Sequence, residues 1–228
     1  MQDNSDIALA VLDMAGTTVA DDGVVIAAFD DAATAVGLPV TGPERDNARR
    51  YVLDTMGQSK IVVFRALFGS EHKAAEANAA FESAYERYVD EGALEPIPGA
   101  EEAIAKLRAD GVKVALTTGF SRSTQHRILT ALDWTEVADL VLAPADAGRG
   151  RPYPDLVLTA LLRAEVDDVR RVAVVGDTAS DITSGLRAGA SIVAGTLTGA
   201  HNAQALREAG ATHILDTVAE LPDLLLSA

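Results

Sequence analysis

Short runs apolar at nearly every position recur along the chain, at residues 7–12 (IALAVL), 112–116, 139–143, 172–175, 191–193 and 212–215. Runs of this kind predict strands buried on both faces of a parallel sheet, because a strand with one wet face would alternate apolar with polar positions. Helical periodicity fills the intervals, at 101–109, 123–132, 154–164, 181–188 and 203–209. Strand alternating with helix at this spacing predicts an α/β fold with a mostly parallel sheet. The helix ends are marked: Gly111 follows the first, Ser121 or Ser123 can cap the second, and Gly189 follows the helix that ends at Ala188.

One segment breaks the rhythm. Between residues 22 and 97 no buried-strand run occurs and the periodicity is helical throughout. Ala27, Phe29, Ala32 and Ala33 begin one helix, residues 60–68 fit a second and 74–89 a third, before the stiff joint Pro96-Ile97-Pro98-Gly99. The chain thus divides into an α/β core over residues 1–21 and 98–228 and an all-helical insertion over 22–97 that follows the first strand.

Composition narrows the function classes. Of 228 residues 48% are hydrophobic, and the formal net charge is −15. Such a surface repels nucleic acid and anionic lipid, so neither is an expected partner. A site for anionic substrates would need a metal ion or clustered cations of its own. With no cysteine, disulfide frameworks, thiolate metal sites and cysteine nucleophiles are excluded. The polar first six residues and the lack of any long apolar stretch predict a cytoplasmic protein.

The chemistry gathers at strand ends. Asp13 follows the first strand, within Asp13-Met14-Ala15-Gly16-Thr17-Thr18; Thr117-Thr118-Gly119 follows the second; Arg149-Gly150-Arg151-Pro152 follows the third; Gly176-Asp177-Thr178-Ala179-Ser180-Asp181 follows the fourth. Each alone reads as capping or a surface ion pair. Together, on the rim where open α/β sheets bind ligands, they fit phosphoryl transfer. A carboxylate such as Asp13 can attack phosphorus. Asp177, with Asp181 near the same helix start, can hold a divalent ion through oxygen ligands, although N-capping would explain either one. Thr117 can bind phosphoryl oxygens, and Arg151 can neutralise the transferring charge.

At these residues the chain resembles the haloacid dehalogenase superfamily, over nearly its whole length. The second Asp of that superfamily's first motif is replaced by Ala15, and the usual lysine of its third motif by Arg151. Both departures are characteristic of the phosphonatase-like branch, which also carries Met-Gly-x-x-Lys in its cap; Met56-Gly57-Gln58-Ser59-Lys60 matches. The resemblance implies a Rossmann-like core with a helical cap inserted after the first strand. It implies Asp13 as nucleophile, and magnesium held by Asp13, the Ala15 carbonyl and Asp177 with Asp181 in support. It further implies Thr117 and Arg151 on the phosphoryl group, Lys60 as Schiff-base lysine, and Gly16, Thr17, Met56, Gly57, Thr118 and Gly119 around the substrate. A small organophosphonate or phosphate ester is the implied partner, and a homodimer the implied assembly. Two positions depart from the branch: Val63 stands where its members carry His, and Phe120 where they carry Tyr.

The chemistry is self-consistent. Expelling an alkoxide from a phosphate ester benefits from a general acid, whereas cleaving a C–P bond beside an iminium expels an enamine and needs none at position 15. The leading expectation is therefore hydrolysis of phosphonoacetaldehyde or a related carbonyl phosphonate. The alternatives are a phosphatase for a small ester such as phosphoglycolate, with Lys60 only binding substrate, and a non-enzymatic receiver or binding module, of which the long insertion argues against a receiver. For imine formation Lys60 must lose its proton near neutrality, and Met56, Phe64 and Arg151 are the neighbours expected to favour that.

Overall fold

The computed structural model describes residues 7–226, so the outermost positions of the expected core segment lie outside the described residues. The chain begins with β1 (Leu9–Asp13) and β2 (Val19–Ala20), followed by four helices, α1 (Val24–Ala35), α2 (Pro43–Asp54), α3 (Lys60–Phe68) and α4 (Glu71–Asp90). It continues through β3 (Glu95–Pro96), α5 (Ala100–Ala109), β4 (Lys113–Thr117), α6 (Arg122–Ala131), β5 (Leu140–Leu142), α7 (Pro144–Ala147) and α8 (Asp155–Arg163). The last part is β6 (Val172–Gly176), α9 (Ala179–Ala188), β7 (Ile192–Thr196), α10 (Ala203–Glu208), β8 (His213–Leu215) and α11 (Leu221–Leu226).

All six apolar runs form strands of one sheet, in the order β5-β4-β1-β6-β7-β8, and every pairing is parallel. The central strand β1 shows why its run is unbroken. Leu9 and Val11 pack on one face with Leu156, Val157 and Ala160 of α8, while Ala10 and Leu12 join the core on the other face. The chain winds from β1 outward to β4 and β5, then crosses to β6, β7 and β8 on the opposite side. The order reverses at β1, which opens a crevice at the carboxyl ends of β1, β4 and β6.

The four helices leave and rejoin the sheet at one place. Val19 pairs with Pro96 and Ala20 with Glu95 in an antiparallel stem, and the Ile97 N–H donates to the Thr18 carbonyl at 2.9 Å. Helix α2 is an addition to the three expected from periodicity. It buries only Arg45, Ala48 and Val52, so its apolar signal is faint, and it is set instead by Pro43 at its start, Glu44 and Asp46 in its first turn, and an Arg45–Asp30 ion pair of 3.0 Å to α1. Among the described residues, no helix is long and apolar enough to cross a membrane.

Candidate active site

Asp13 is the last residue of β1, and the chain turns sharply after it. The Met14 carbonyl accepts from the N–H groups of Thr17, Thr18 and Val19 at 3.1, 2.9 and 2.8 Å, and the Thr18 hydroxyl donates to the Asp13 carbonyl at 3.0 Å. Gly16 adopts φ 86°, and a Cβ there would lie 2.6 Å from an Asp177 carboxylate oxygen, so this turn requires glycine. Asp177 follows β6. Its carboxylate accepts from the Thr17 hydroxyl at 3.2 Å and the Ala200 N–H at 2.7 Å. Asp181 sits in the first turn of α9 and forms a capping box with Thr178. The capping role of Asp181 and its place in the site coexist: oxygens of Asp13, Asp177 and Asp181 lie within 4.8 Å of one another, and all three residues are buried.

Arg151 enters this cluster from the loop after α7. One guanidinium nitrogen, Nη1, contacts both Asp13 Oδ1, at 2.6 Å, and Asp181 Oδ1. Its Nε and Nη2 are buried without a hydrogen-bond partner among the described residues, two donors free for an oxyanion. Burial pushes the Asp13 carboxyl well up against the pull of Arg151, and Asp181 and Asp177 push the same way. Burial and the neighbouring Asp181 lift Asp177 to about 6. Three buried carboxylates against one guanidinium leave the cluster short of positive charge. An all-oxygen donor set with that deficit fits a hard divalent cation such as magnesium.

Lys60, the first residue of α3, reaches the same place from the helical side, its N–H on the Gly119 carbonyl at 3.4 Å. Its ammonium lies over the rings of Phe120, at 5.2 Å, and Phe81, at 5.8 Å. A cavity of about 350 Å³ brings Lys60 together with Asp13, Ala15, Gly16, Met56 and Arg151. Burial lowers the Lys60 ammonium to about 8; Asp21 opposes the shift and Arg151 assists it. Of the expected apolar neighbours Met56 lines the cavity, but Phe64 does not. Phe64 is committed to the helical core, packed on Phe29, Phe68 and Phe81. Phe120 occupies the place expected of a tyrosine and offers Lys60 a π-face in place of a hydroxyl.

Gly57, Thr118, Gly119 and Asp177 line the cavity as well, whereas Thr117 and Thr17 do not. Strand β4 runs one residue further than its apolar run, placing Thr117 in register with Asp13, where its hydroxyl donates to the Leu12 carbonyl at 3.3 Å. Of the adjacent pair it is Thr118 that borders the cavity, where Thr178 and Thr198 also bring hydroxyls. Sequence reasoning also passed over Asp21 and the Gly199–Ala200 turn that line the cavity, and Tyr85, packed 4.5 Å from Phe120.

Gly57 marks the contact between the helical insertion and the sheet. It has φ 81°, and a Cβ there would clash with the Thr178 hydroxyl. Gly57→Ala is expected to cost roughly 1–2 kcal/mol in backbone strain and, by displacing Thr178 or lifting the insertion, to lower kcat/KM tenfold or more. Gly92→Ala carries similar strain at φ 77° with nothing within 4 Å of the new Cβ. Equal activity in the two variants, measured beside their melting temperatures, would remove Gly57 from the docking contact.

Comparison with known proteins places the chain in a family and a fold. The chain is 28% identical over 211 residues to the phosphonoacetaldehyde hydrolase of Pseudomonas fluorescens (strain SBW25), an alignment covering 87% of this chain and 76% of the relative. Its fold is similar to that of a phosphonoacetaldehyde hydrolase-like protein from Oleispira antarctica, with a TM-score of 0.84, 25% identity and coverage of 97% of this chain and 92% of the other. It is also similar to a predicted phosphoglycolate phosphatase from Haemophilus somnus 129PT, with a TM-score of 0.80, 18% identity and coverage of 96% and 98%. The model of the haloacid dehalogenase-like hydrolases matches residues 7–189, from the strand that presents Asp13 to the end of the helix that presents Asp181. By that match, the chain belongs to the haloacid dehalogenase-like hydrolases.

Proposed function

We propose that this hydrolase cleaves the C–P bond of phosphonoacetaldehyde or a closely related carbonyl phosphonate, with Asp13 as nucleophile and Lys60 as Schiff-base amine. The observation that carries the reading is a lysine from the helical insertion, lowered to about 8 by burial, in the same cavity as Asp13 and Arg151. At the ordinary lysine pKa about one molecule in 2,500 is neutral at pH 7; at about 8 it is roughly one in ten. The neutral amine condenses with the aldehyde to form an iminium. Asp13 then attacks phosphorus, the C–P electron pair moves into the iminium to give an enamine, and an aspartyl-phosphate remains. Water cleaves that acyl phosphate, while the enamine is protonated and hydrolysed to release the aldehyde and Lys60. The unpartnered Nε and Nη2 of Arg151 hold phosphoryl oxygens. Ala15 offers no side-chain acid, and an enamine leaving group requires none. The relative from Pseudomonas fluorescens, named phosphonoacetaldehyde hydrolase, supports the substrate class.

Phosphate release over a small panel tests the reading. Phosphonoacetaldehyde should be turned over, and phosphonoacetate, whose carboxylate cannot form an imine, should not. Turnover of phosphoglycolate without turnover of phosphonoacetaldehyde would make the protein an ester phosphatase.

Magnesium held by Asp13, the Ala15 carbonyl and Asp177, with Asp181 beside them, would supply the positive charge that the carboxylate cluster and a phosphoryl dianion together require. Chelator-treated protein is expected to lose essentially all activity and to regain it with magnesium. Magnesium should also raise the melting temperature, since an ion bound only to the folded state stabilises it by mass action. Full activity in metal-free buffer would take Asp177 and Asp181 off the ligand set.

A further inference from the structure

Imine formation moves protons twice, and the groups around Lys60 differ in their freedom to carry them. Asp13 is paired with Arg151 and committed to phosphorus, and Asp177 and Asp181 belong to the carboxylate cluster. Val63 and Phe120 do not titrate. Tyr85 is buried with a hydroxyl that has no partner among the described residues, but burial, Asp21 and Asp13 all hold its proton on, so it is no base. Asp21 has no such commitment. It follows β2, lines the cavity that holds Lys60, and is the strongest charge acting on that lysine. Its carboxylate is pinned by the Val25 N–H at the start of α1, with 3.2 Å to Oδ1 and 3.5 Å to Oδ2.

We propose that Asp21 is the acid–base residue of the imine step, an inference that rests on the Schiff-base reading of Lys60. The Asp21 carboxylate takes one proton from the Lys60 ammonium. The freed Nζ lone pair forms the N–C bond while the C=O π pair moves to oxygen, and a second proton passes from nitrogen to that oxygen to give the carbinolamine. Asp21 then returns its proton to the carbinolamine hydroxyl, the C–O bond breaks, water departs, and the nitrogen lone pair closes the iminium. Three protons on the ammonium become one on the iminium and two in water, and Asp21 ends as it began. Burial supports the exchange from both sides: it raises the Asp21 carboxyl above its ordinary value and lowers Lys60 to about 8, so the two proton affinities approach each other. The charged and titratable groups around the pair are Asp22 in the same loop, Asp13 from β1, Tyr85 from α4, and Arg151 and Asp177 from the sheet side.

The test is the rate at which borohydride traps the phosphonoacetaldehyde adduct on Lys60, read by mass spectrometry. A purely electrostatic Asp21 and a proton-carrying Asp21 give opposite signs. The carboxylate holds the lysine pKa up, so Asp21→Asn lowers it, enriches the neutral amine and would speed trapping at pH 7 if charge were the whole role. As acid–base residue its loss should slow trapping by roughly 10²-fold, the usual worth of such a group. Asp21→Glu should recover part of the rate, and Asp22→Asn, at the exposed neighbour, should not slow trapping. Asn keeps an acceptor for the Val25 N–H, and Asp21→Ser keeps one through its hydroxyl should Asn disturb the fold. The pH dependence of Lys60 acylation in each variant reports whether the pocket still depresses the amine. Unchanged or faster trapping in Asp21→Asn, or equal slowing in Asp22→Asn, overturns the proposal and leaves the Schiff base standing. No label on Lys60 in the wild type overturns both.

Discussion

Asp13→Asn is expected to abolish phosphate release, by at least about 10⁴-fold, without loss of the fold. The amide nearly matches the carboxylate in shape but is neither a competent nucleophile nor an anionic ligand for a divalent ion. Stability should move the other way from activity, or not at all. Burial and two neighbouring carboxylates raise the Asp13 carboxyl, so its ionised form opposes folding at neutral pH; the neutral amide removes that cost and gives up the 2.6 Å contact with Arg151. Arg151 retains Asp181 as partner. The matching test on the wild type is an acid-quenched, hydroxylamine-labile phosphoryl adduct that the variant lacks. Appreciable turnover by correctly folded Asp13→Asn would reject Asp13 as nucleophile.

The parallel sheet and the residues gathered at its rim are legible because their signals are local. An all-apolar run implies a doubly buried strand, and a carboxylate or hydroxyl just after it implies a residue on the ligand-binding edge. Features that depend on phase or on distance along the chain were harder to read. Thr117 and Thr118 are adjacent, and which of them meets the cavity depends on β4 continuing in register with β1 as far as Asp13. Alternate strand residues point to opposite faces, so the two neighbours cannot share a direction, and the apolar run alone does not say where the strand stops. Phe81 and Tyr85 lie on the apolar stripe of α4 and read as ordinary core, which they also are. Only the tertiary fold brings them to Phe120 and Lys60. Asp21-Asp22-Gly23 reads as turn chemistry, and Asp21 does accept the Val25 N–H; nothing local shows that it also borders the cavity.

Lys60→Arg divides C–P cleavage from ester hydrolysis, and its expected result is near-complete loss of phosphonoacetaldehyde turnover. Arginine keeps the charge and the cation–π faces of Phe81 and Phe120, but its guanidinium neither deprotonates near neutrality nor condenses with an aldehyde. In the wild type kcat/KM should rise with pH through about 8, as the free amine accumulates, and this limb should be missing from hydrolysis of any carbonyl-free ester. The same burial has a stability consequence with a definite sign. The folded-state pKa lies below the ordinary 10.5, so the unfolded chain binds more protons between about 8 and 10.5, and stability rises with pH through that window. Below about 8 the enclosed ammonium costs the fold up to roughly 3 kcal/mol. Lys60→Met, which fills the space without a charge, should therefore stabilise the protein at pH 7, by a margin that fades as pH approaches 10.5. An apolar variant that is more stable at pH 7 and inactive on phosphonoacetaldehyde identifies a lysine retained for its chemistry. An arginine variant as fast as wild type on its best substrate, with no borohydride adduct at Lys60, makes the residue a simple anion binder and the enzyme a phosphatase.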